Sequence, residues 1–168
     1  QRVMPAVDGP AAVRRRSGGG AVLVGPGEVL WIDILLPRGD PLWNDDISRS
    51  VGWLGGAWCA ALAEMNVEAT VHHGPMVVTR GSEVVCFAGI GPGEVLVGGR
   101  KVVGISQRRN RGGARFQCAA LLRWRPDEMV RLFGLQPEDA ASADLEGAAV
   151  GLEVDAVELS EALLGQLP

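Results

Sequence analysis

Between residues 44 and 65 apolar side chains recur at helical spacing, with Ile47, Val51, Leu54, Trp58, Ala61, Leu62 and Met65 on one stripe. Asn44, Asp45 and Asp46 precede the stripe with the capping oxygens and negative charge that favour a helix start, so the pattern predicts a long helix. Gly52, Gly55 and Gly56 lower its propensity by about 1 kcal/mol each relative to Ala, which suggests a close approach to a sheet. Upstream, residues 22–36 read as two apolar strands around the turn-forming Gly25-Pro26-Gly27-Glu28. The second run, 29–36, is apolar almost without a break, the pattern of a strand buried on both faces. Residues 37–41 read as a loop.

From residue 69 to 124 the pattern changes to short strand-like runs at 69–72, 76–79, 84–88, 94–97, 101–107 and 115–124. Gly98-Gly99 is a two-residue hairpin signal, and 110–113 reads as a flexible basic loop. Pro126-Asp127 opens a short helix that runs to Phe133 and stops at Gly134; residues 155–164 form a terminal helix. No internal repeat or low-complexity segment interrupts the series. The expected architecture is α+β, a mostly antiparallel mixed sheet with a long helix on one face and small helices at the end.

Composition narrows this picture. The 168 residues suffice for one domain with a real core. A content of 47% hydrophobic and 21% charged residues excludes a disordered chain. No apolar run approaches the roughly 20 residues of a membrane helix, and the start lacks a signal-peptide pattern. The chain begins with Gln1 and reads as a piece of a longer one. Cys59, Cys86 and Cys118 sit among apolar neighbours without paired or metal-like spacing, as in a reducing, cytoplasmic compartment. His72 and His73 are adjacent and would face opposite ways on a strand, so no metal site is expected.

Net charge is -4, yet Arg100, Lys101, Arg108, Arg109, Arg111, Arg115, Arg123 and Arg125 make up half of the 16 basic residues. A local basic surface on an acidic chain suits an anionic ligand or an acidic partner face. The overall balance argues against nucleic acid, and no stacking aromatics are interleaved with the arginines. Arg108, Arg109 and Arg111 form either a solvated loop or a docking patch.

Lys101 is the only lysine beside fifteen arginines. A compact ammonium on a flexible stem suits a site that places one charge on a carboxyl or phosphoryl oxygen; an Arg-biased composition explains it equally well. The stretch Arg14-Arg15-Arg16-Ser17-Gly18-Gly19-Gly20-Ala21-Val22 is the second candidate. Three consecutive glycines let a flat ligand or phosphate approach backbone N–H groups, with arginines to hold an anion; the alternative is an ordinary loop with solvated charge. Cys86, in Val84-Val85-Cys86-Phe87, is either a small core hydrophobe or a reactive thiol, whereas Cys118 and Cys59 read as core. The five tryptophans read as packing residues.

Taken together, Arg14-Arg15-x-Ser17-Gly18-Gly19-Gly20-Ala21-Val22 and Gly99-Arg100-Lys101-Val102-Val103-Gly104-Ile105-Ser106-Gln107 resemble the lipoate–protein ligase and octanoyltransferase family, which shares its catalytic fold with biotin–protein ligases. Val85-Cys86-Phe87-Ala88-Gly89 and Gly93-Glu94-Val95 support the resemblance, which spans about residues 12 to 125. It implies transfer of a lipoyl or octanoyl group to a lysine of lipoyl carrier domains, such as those of 2-oxoacid dehydrogenase complexes or the glycine cleavage protein. The ligase route passes through an acyl-adenylate and uses ATP with Mg. The octanoyltransferase route uses a cysteine thioester, at the position matching Cys86, and no cofactor. The resemblance assigns Lys101 to the acyl carbonyl and phosphate oxygens. It assigns Arg14, Arg15, Ser17, Gly18, Gly19, Gly20, Gly104 and Ser106 to substrate binding. Where many members carry an aromatic–His pair, Leu23-Val24 stand here, and the stretch before the double arginine is absent. The expectation is one catalytic-type domain over 1–168 that lacks its N-terminal strands and any C-terminal accessory domain. The competing expectation is a non-catalytic protein that binds an acyl ligand or a lipoyl domain.

Overall fold

The computed structural model describes residues 10–14 and 18–168. Its element order is β1 (Val29–Pro37), α1 (Gly52–Glu64), β2 (Thr70–Val71), a 3-10 turn (Cys86–Ala88), β3 (Val95–Val97), β4 (Arg100–Asn110), β5 (Gly113–Leu121), α2 (Pro126–Phe133), α3 (Glu138–Ala148) and α4 (Ala156–Gln166). The strands form one antiparallel sheet in the order β1-β5-β4-β3-β2. The α+β architecture is as expected.

The main core lies between the sheet and the pair α1 and α4. Leu54, Trp58, Ala61 and Leu62 of α1 and Leu159 and Leu163 of α4 meet Val103, Ile105, Phe116, Cys118 and Ala120 of the sheet. Even-numbered residues of β5 enter this core. The odd ones, Arg115, Gln117, Ala119 and Leu121, face the other way, as strand alternation demands. A second cluster joins Val85 and Ala88 to Met129, Val130 and Leu145 of α2 and α3.

Several elements differ from expectation. The long helix starts at Gly52, because the Asn44 and Asp46 carboxamide and carboxylate oxygens accept the N–H groups of Asp46, Ser48 and Arg49 and hold residues 44–50 in turns. Ile47 is therefore exposed. β1 is an edge strand, paired only with β5, and not buried on both faces: Leu35 is 73% exposed. Residue 21 makes only an isolated bridge to Val85, and 76–79 only one at Val77 to Ile90. The 84–88 run ends in the 3-10 turn. Residues 110–113 form a tight hairpin end in which Asn110 Oδ1 accepts the Gly112 and Gly113 N–H groups. α3 has no counterpart in the sequence reading, since Leu145 is its one fully buried side chain among the described residues. The short helix from Pro126 and its stop at Gly134, which has φ 57°, are as expected, as is the terminal helix, capped by Asp155 through the Val157 and Glu158 N–H groups.

Of the three α1 glycines only Gly55 serves a close approach, since a Cβ there would sit 2.4 Å from the Gly93 carbonyl oxygen. Nothing lies within 4 Å of a Cβ built on Gly56. Gly56→Ala is therefore expected to stabilise the chain by about 0.5–1 kcal/mol and Gly55→Ala to destabilise it by about 1–3 kcal/mol. Urea denaturation midpoints should move in opposite directions for the two; a shift of the same sign would refute the packing described.

Candidate active site

Lys101 sits near the start of β4, just after the Gly98-Gly99 turn, where both glycines adopt positive φ of 55° and 79° as a tight hairpin turn requires. Plain alternation would send Lys101 to the same side as Val103, into the α1 core. A register shift prevents this: Val95 pairs with Val103, but Leu96 pairs with Lys101, which leaves Val102 as an extra residue. Val102 and Val103 both enter the core, and Lys101 turns to the opposite face of the sheet. Bulges commonly re-aim a side chain in this way beside functional sites.

There the side chain is buried, at 2% exposure, and its ammonium is fully engaged. Nζ donates to Gly89 O at 2.9 Å and Cys86 O at 3.0 Å, and forms an ion pair with Glu94 Oε2 at 2.8 Å. The Phe87 ring lies 5.0 Å from Nζ. Gly104 makes room for this arrangement, because a Cβ there would be 3.2 Å from Lys101 Cε and 3.4 Å from Phe87 Cζ. Gly104 is thus buried beneath the lysine stem, whereas Ser106, two residues on, is half-buried on the same strand.

The glycine-rich ribbon reaches the lysine through one intermediate segment. Ala21 N–H donates to Val84 O at 2.6 Å and Ala21 O accepts from Cys86 N–H at 2.9 Å. Gly20 lies flat against this segment, and the segment's next carbonyls, at Cys86 and Gly89, are those that hold Lys101. The two distant motifs are therefore brought to one place. Gly18, Gly19 and Arg14 are exposed, and Arg15 and Ser17 lie outside the described residues. The half-buried Cys86 packs against the cluster of Phe87, Ala119, Leu121 and Ala149, beside Val22 and Trp31. Burial pushes the Cys118 thiol up to about 12 and raises that of Cys59 as well, which suits both to core roles.

Beyond Cys86 the sheet face carries a polar row. Asp33 of β1 lies opposite Gln117 of β5, which lies opposite Ser106 of β4. The Arg115 guanidinium holds the Asp33 carboxyl below its usual range, with smaller contributions from Gln117 and Trp31. Much of the basic surface is neutralised locally: Arg115 pairs with Asp33 and Arg125 with Glu28 and Glu128. Arg109 stacks on Trp43 and donates to the Asn44 and Asp45 carbonyls. Arg100, Arg108, Arg111 and Arg123 stay exposed.

Two open grooves lie elsewhere, one along residues 149–156 beside Arg100 and Arg123, the other lined by Glu64, Glu153, Glu158 and Glu161; neither includes Lys101 or Cys86. Among the described residues no group of three or more His, Cys, Asp or Glu could hold a metal ion, and no helix is long and apolar enough to cross a membrane.

Glu94 is the site residue that sequence reasoning passed over. Its signal was present: a carboxylate on the strand facing the lone lysine across a two-residue turn. Trp31, Asp33 and Gln117 were hidden by the assumption that β1 is covered on both sides.

The family model of the lipoyl protein ligase A/B catalytic domain matches residues 6–158. No curated protein sequence matches the chain. Among solved structures, the bi-partite lipoate protein ligase of Thermoplasma acidophilum, studied with its E2 lipoyl domain, superposes with a TM-score of 0.69 at 16% identity, covering 91% of this chain and 55% of that one. A lipoate-protein ligase A bound with ATP gives 0.65 at 18% identity, over 91% and 56%. A T. acidophilum structure with bound lipoic acid gives 0.65 at 18%, over 91% and 55%. At these identities the likeness establishes the fold, and the chain spans a little over half the length of these structures. With most of its length matched by the family model, the chain belongs to the lipoyl protein ligase A/B catalytic-domain family.

Proposed function

We propose that the chain transfers a lipoyl or octanoyl group to the lysine amine of a lipoyl carrier domain, of the kind found in 2-oxoacid dehydrogenase complexes and the glycine cleavage protein. The buried Lys101 ammonium, tied through residues 84–89 to the glycine ribbon, carries this reading. In the ligase route the acid's carboxylate attacks the α-phosphorus of ATP and pyrophosphate leaves. The carrier amine then attacks the acyl carbonyl, AMP leaves, and the amine gives up a proton. Both steps develop negative charge on oxygen, which a preorganised cation in a water-poor site stabilises strongly. The ammonium has three N–H groups, all engaged, so a substrate oxygen reaches it only by exchanging with the Cys86 or Gly89 carbonyl. Gly18 and Gly19 expose backbone along which the acyl-phosphate can lie.

A second reading is favoured by the half-buried Cys86 thiol on the very turn whose carbonyl meets Lys101. Here the thiol takes the acyl group from a carrier-protein thioester, releases the carrier thiol, and passes the group on. Mass spectrometry of an apo lipoyl domain separates the routes. Product that needs ATP, Mg and lipoate, with Cys86→Ser within about twofold of wild type, establishes the ligase. Product that needs octanoyl-carrier protein and is abolished by Cys86→Ser establishes the transferase. No product from either mixture overturns both and leaves a binding protein.

A further inference from the structure

We propose that Glu94 is a positioning residue for acyl transfer, acting through Lys101 without touching substrate; the inference rests on the acyl-transfer reading above. Three bonds hold the ammonium, and they differ in kind. Cys86 and Gly89 contribute neutral carbonyls from one turn, whereas Glu94 contributes the charge, at 2.8 Å. All three bonds have a charged donor, but only Glu94 adds the Coulomb attraction of a full opposite charge in a buried site, so an entering oxygen displaces a carbonyl and leaves the Glu94 contact in place.

Glu94 is itself held from two directions. Oε2 accepts the Gly91 N–H at 2.6 Å and Oε1 accepts the Ile105 N–H at 3.3 Å. Its backbone is fixed as well, with the Glu94 N–H on Gly91 O and its carbonyl accepting from His72. One carboxylate thus joins the 91–93 turn, β4 and the lysine. Because the bulge at Val102 decides which face Lys101 takes and Glu94 decides where on that face its nitrogen rests, the two together set the direction in which the cation is presented. Both Glu94 oxygens are taken by Gly91, Ile105 and Lys101, so its role runs through the lysine.

A double-mutant cycle on the full chain tests this, with Glu94→Gln, Lys101→Met and the pair together. The readouts are kcat and KM for acylation of an apo lipoyl domain, with circular dichroism to count the folded fraction. Glu94→Gln is expected to lower kcat about 10- to 100-fold at unchanged KM, as misplacement of a reacting group does. In the Lys101→Met background the same change is expected to add less than twofold, and Glu94→Asp, which keeps the charge, to retain more turnover than Glu94→Gln. A merely structural role would lower the melting temperature and leave kcat per folded molecule alone. Losses that multiply, or Glu94→Gln turnover within twofold of wild type, would overturn the proposal while the acyl-transfer reading stands. A wild-type chain that acylates nothing sinks both.

Discussion

Lys101→Met is expected to reduce acyl transfer about 10²- to 10³-fold, the loss found when one preorganised donor to a developing anion is removed. The same change should destabilise the protein. It leaves the Glu94 carboxylate buried without its counter-charge, and breaking one side of a buried ion pair costs roughly 3–5 kcal/mol. The two effects separate if turnover is divided by the folded fraction from denaturant titration. Lys101→Arg is not expected to restore activity, because a planar fork cannot take three donors into a cradle shaped for a point charge. Turnover per folded molecule equal to wild type would remove Lys101 from the chemistry.

The second large effect is expected at Gly20. A Cβ there would lie 2.5 Å from Val84 O, 2.6 Å from Val84 C and 2.8 Å from Val85 N. These are backbone atoms in a segment already bonded to Ala21, so no side chain can swing aside. Gly20→Ala must therefore push the ribbon off residues 84–86, the segment that ends in the Cys86 carbonyl bonded to the lysine. Overpacking of this kind costs about 1–3 kcal/mol, and a displacement of about 1 Å near reacting groups can slow a reaction about 10²-fold. Gly56→Ala on α1, with nothing within 4 Å of its Cβ, is the control and should stay within about threefold of wild type. Equal, small effects at both positions would show that the ribbon does not depend on close apposition.

What could be read beforehand was whatever depends on spacing. The Gly98-Gly99 hairpin, the Pro126 helix with its Gly134 stop and the α1 stripe all declare themselves within a few residues. The pairing of the glycine ribbon with the lysine hairpin came from two motifs some 80 residues apart, whose meeting follows from the fold. What stayed hidden depends on contacts made across the chain. Asn44 and Asp46 look like helix caps, but their oxygens serve their own turn and delay α1 by several residues. β1 is apolar apart from Asp33 because one face enters the core and the other carries Trp31 over the site, so near-continuity reads as two-sided burial. The bulge at Val102 has no local signature: three residues, Lys101 to Val103, fit a regular strand, and only pairing with β3 shows the extra one. Glu94 stands at the head of the 94–97 run as an ordinary strand residue, and only the fold shows that it is the counter-ion of the buried ammonium.

The burial of Lys101 has a further consequence for the outside of the molecule. Every other basic side chain except the two histidines is arginine, and a guanidinium stays protonated at any physiological pH, which makes it a poor nucleophile. With its one side-chain amine sealed inside, the described part of the chain displays no lysine at its surface. Under the acyl transfer proposed above, an activated carboxylic acid released beside the chain would find no neighbouring side-chain amine to tag, and the amine of an incoming carrier would meet no such competitor.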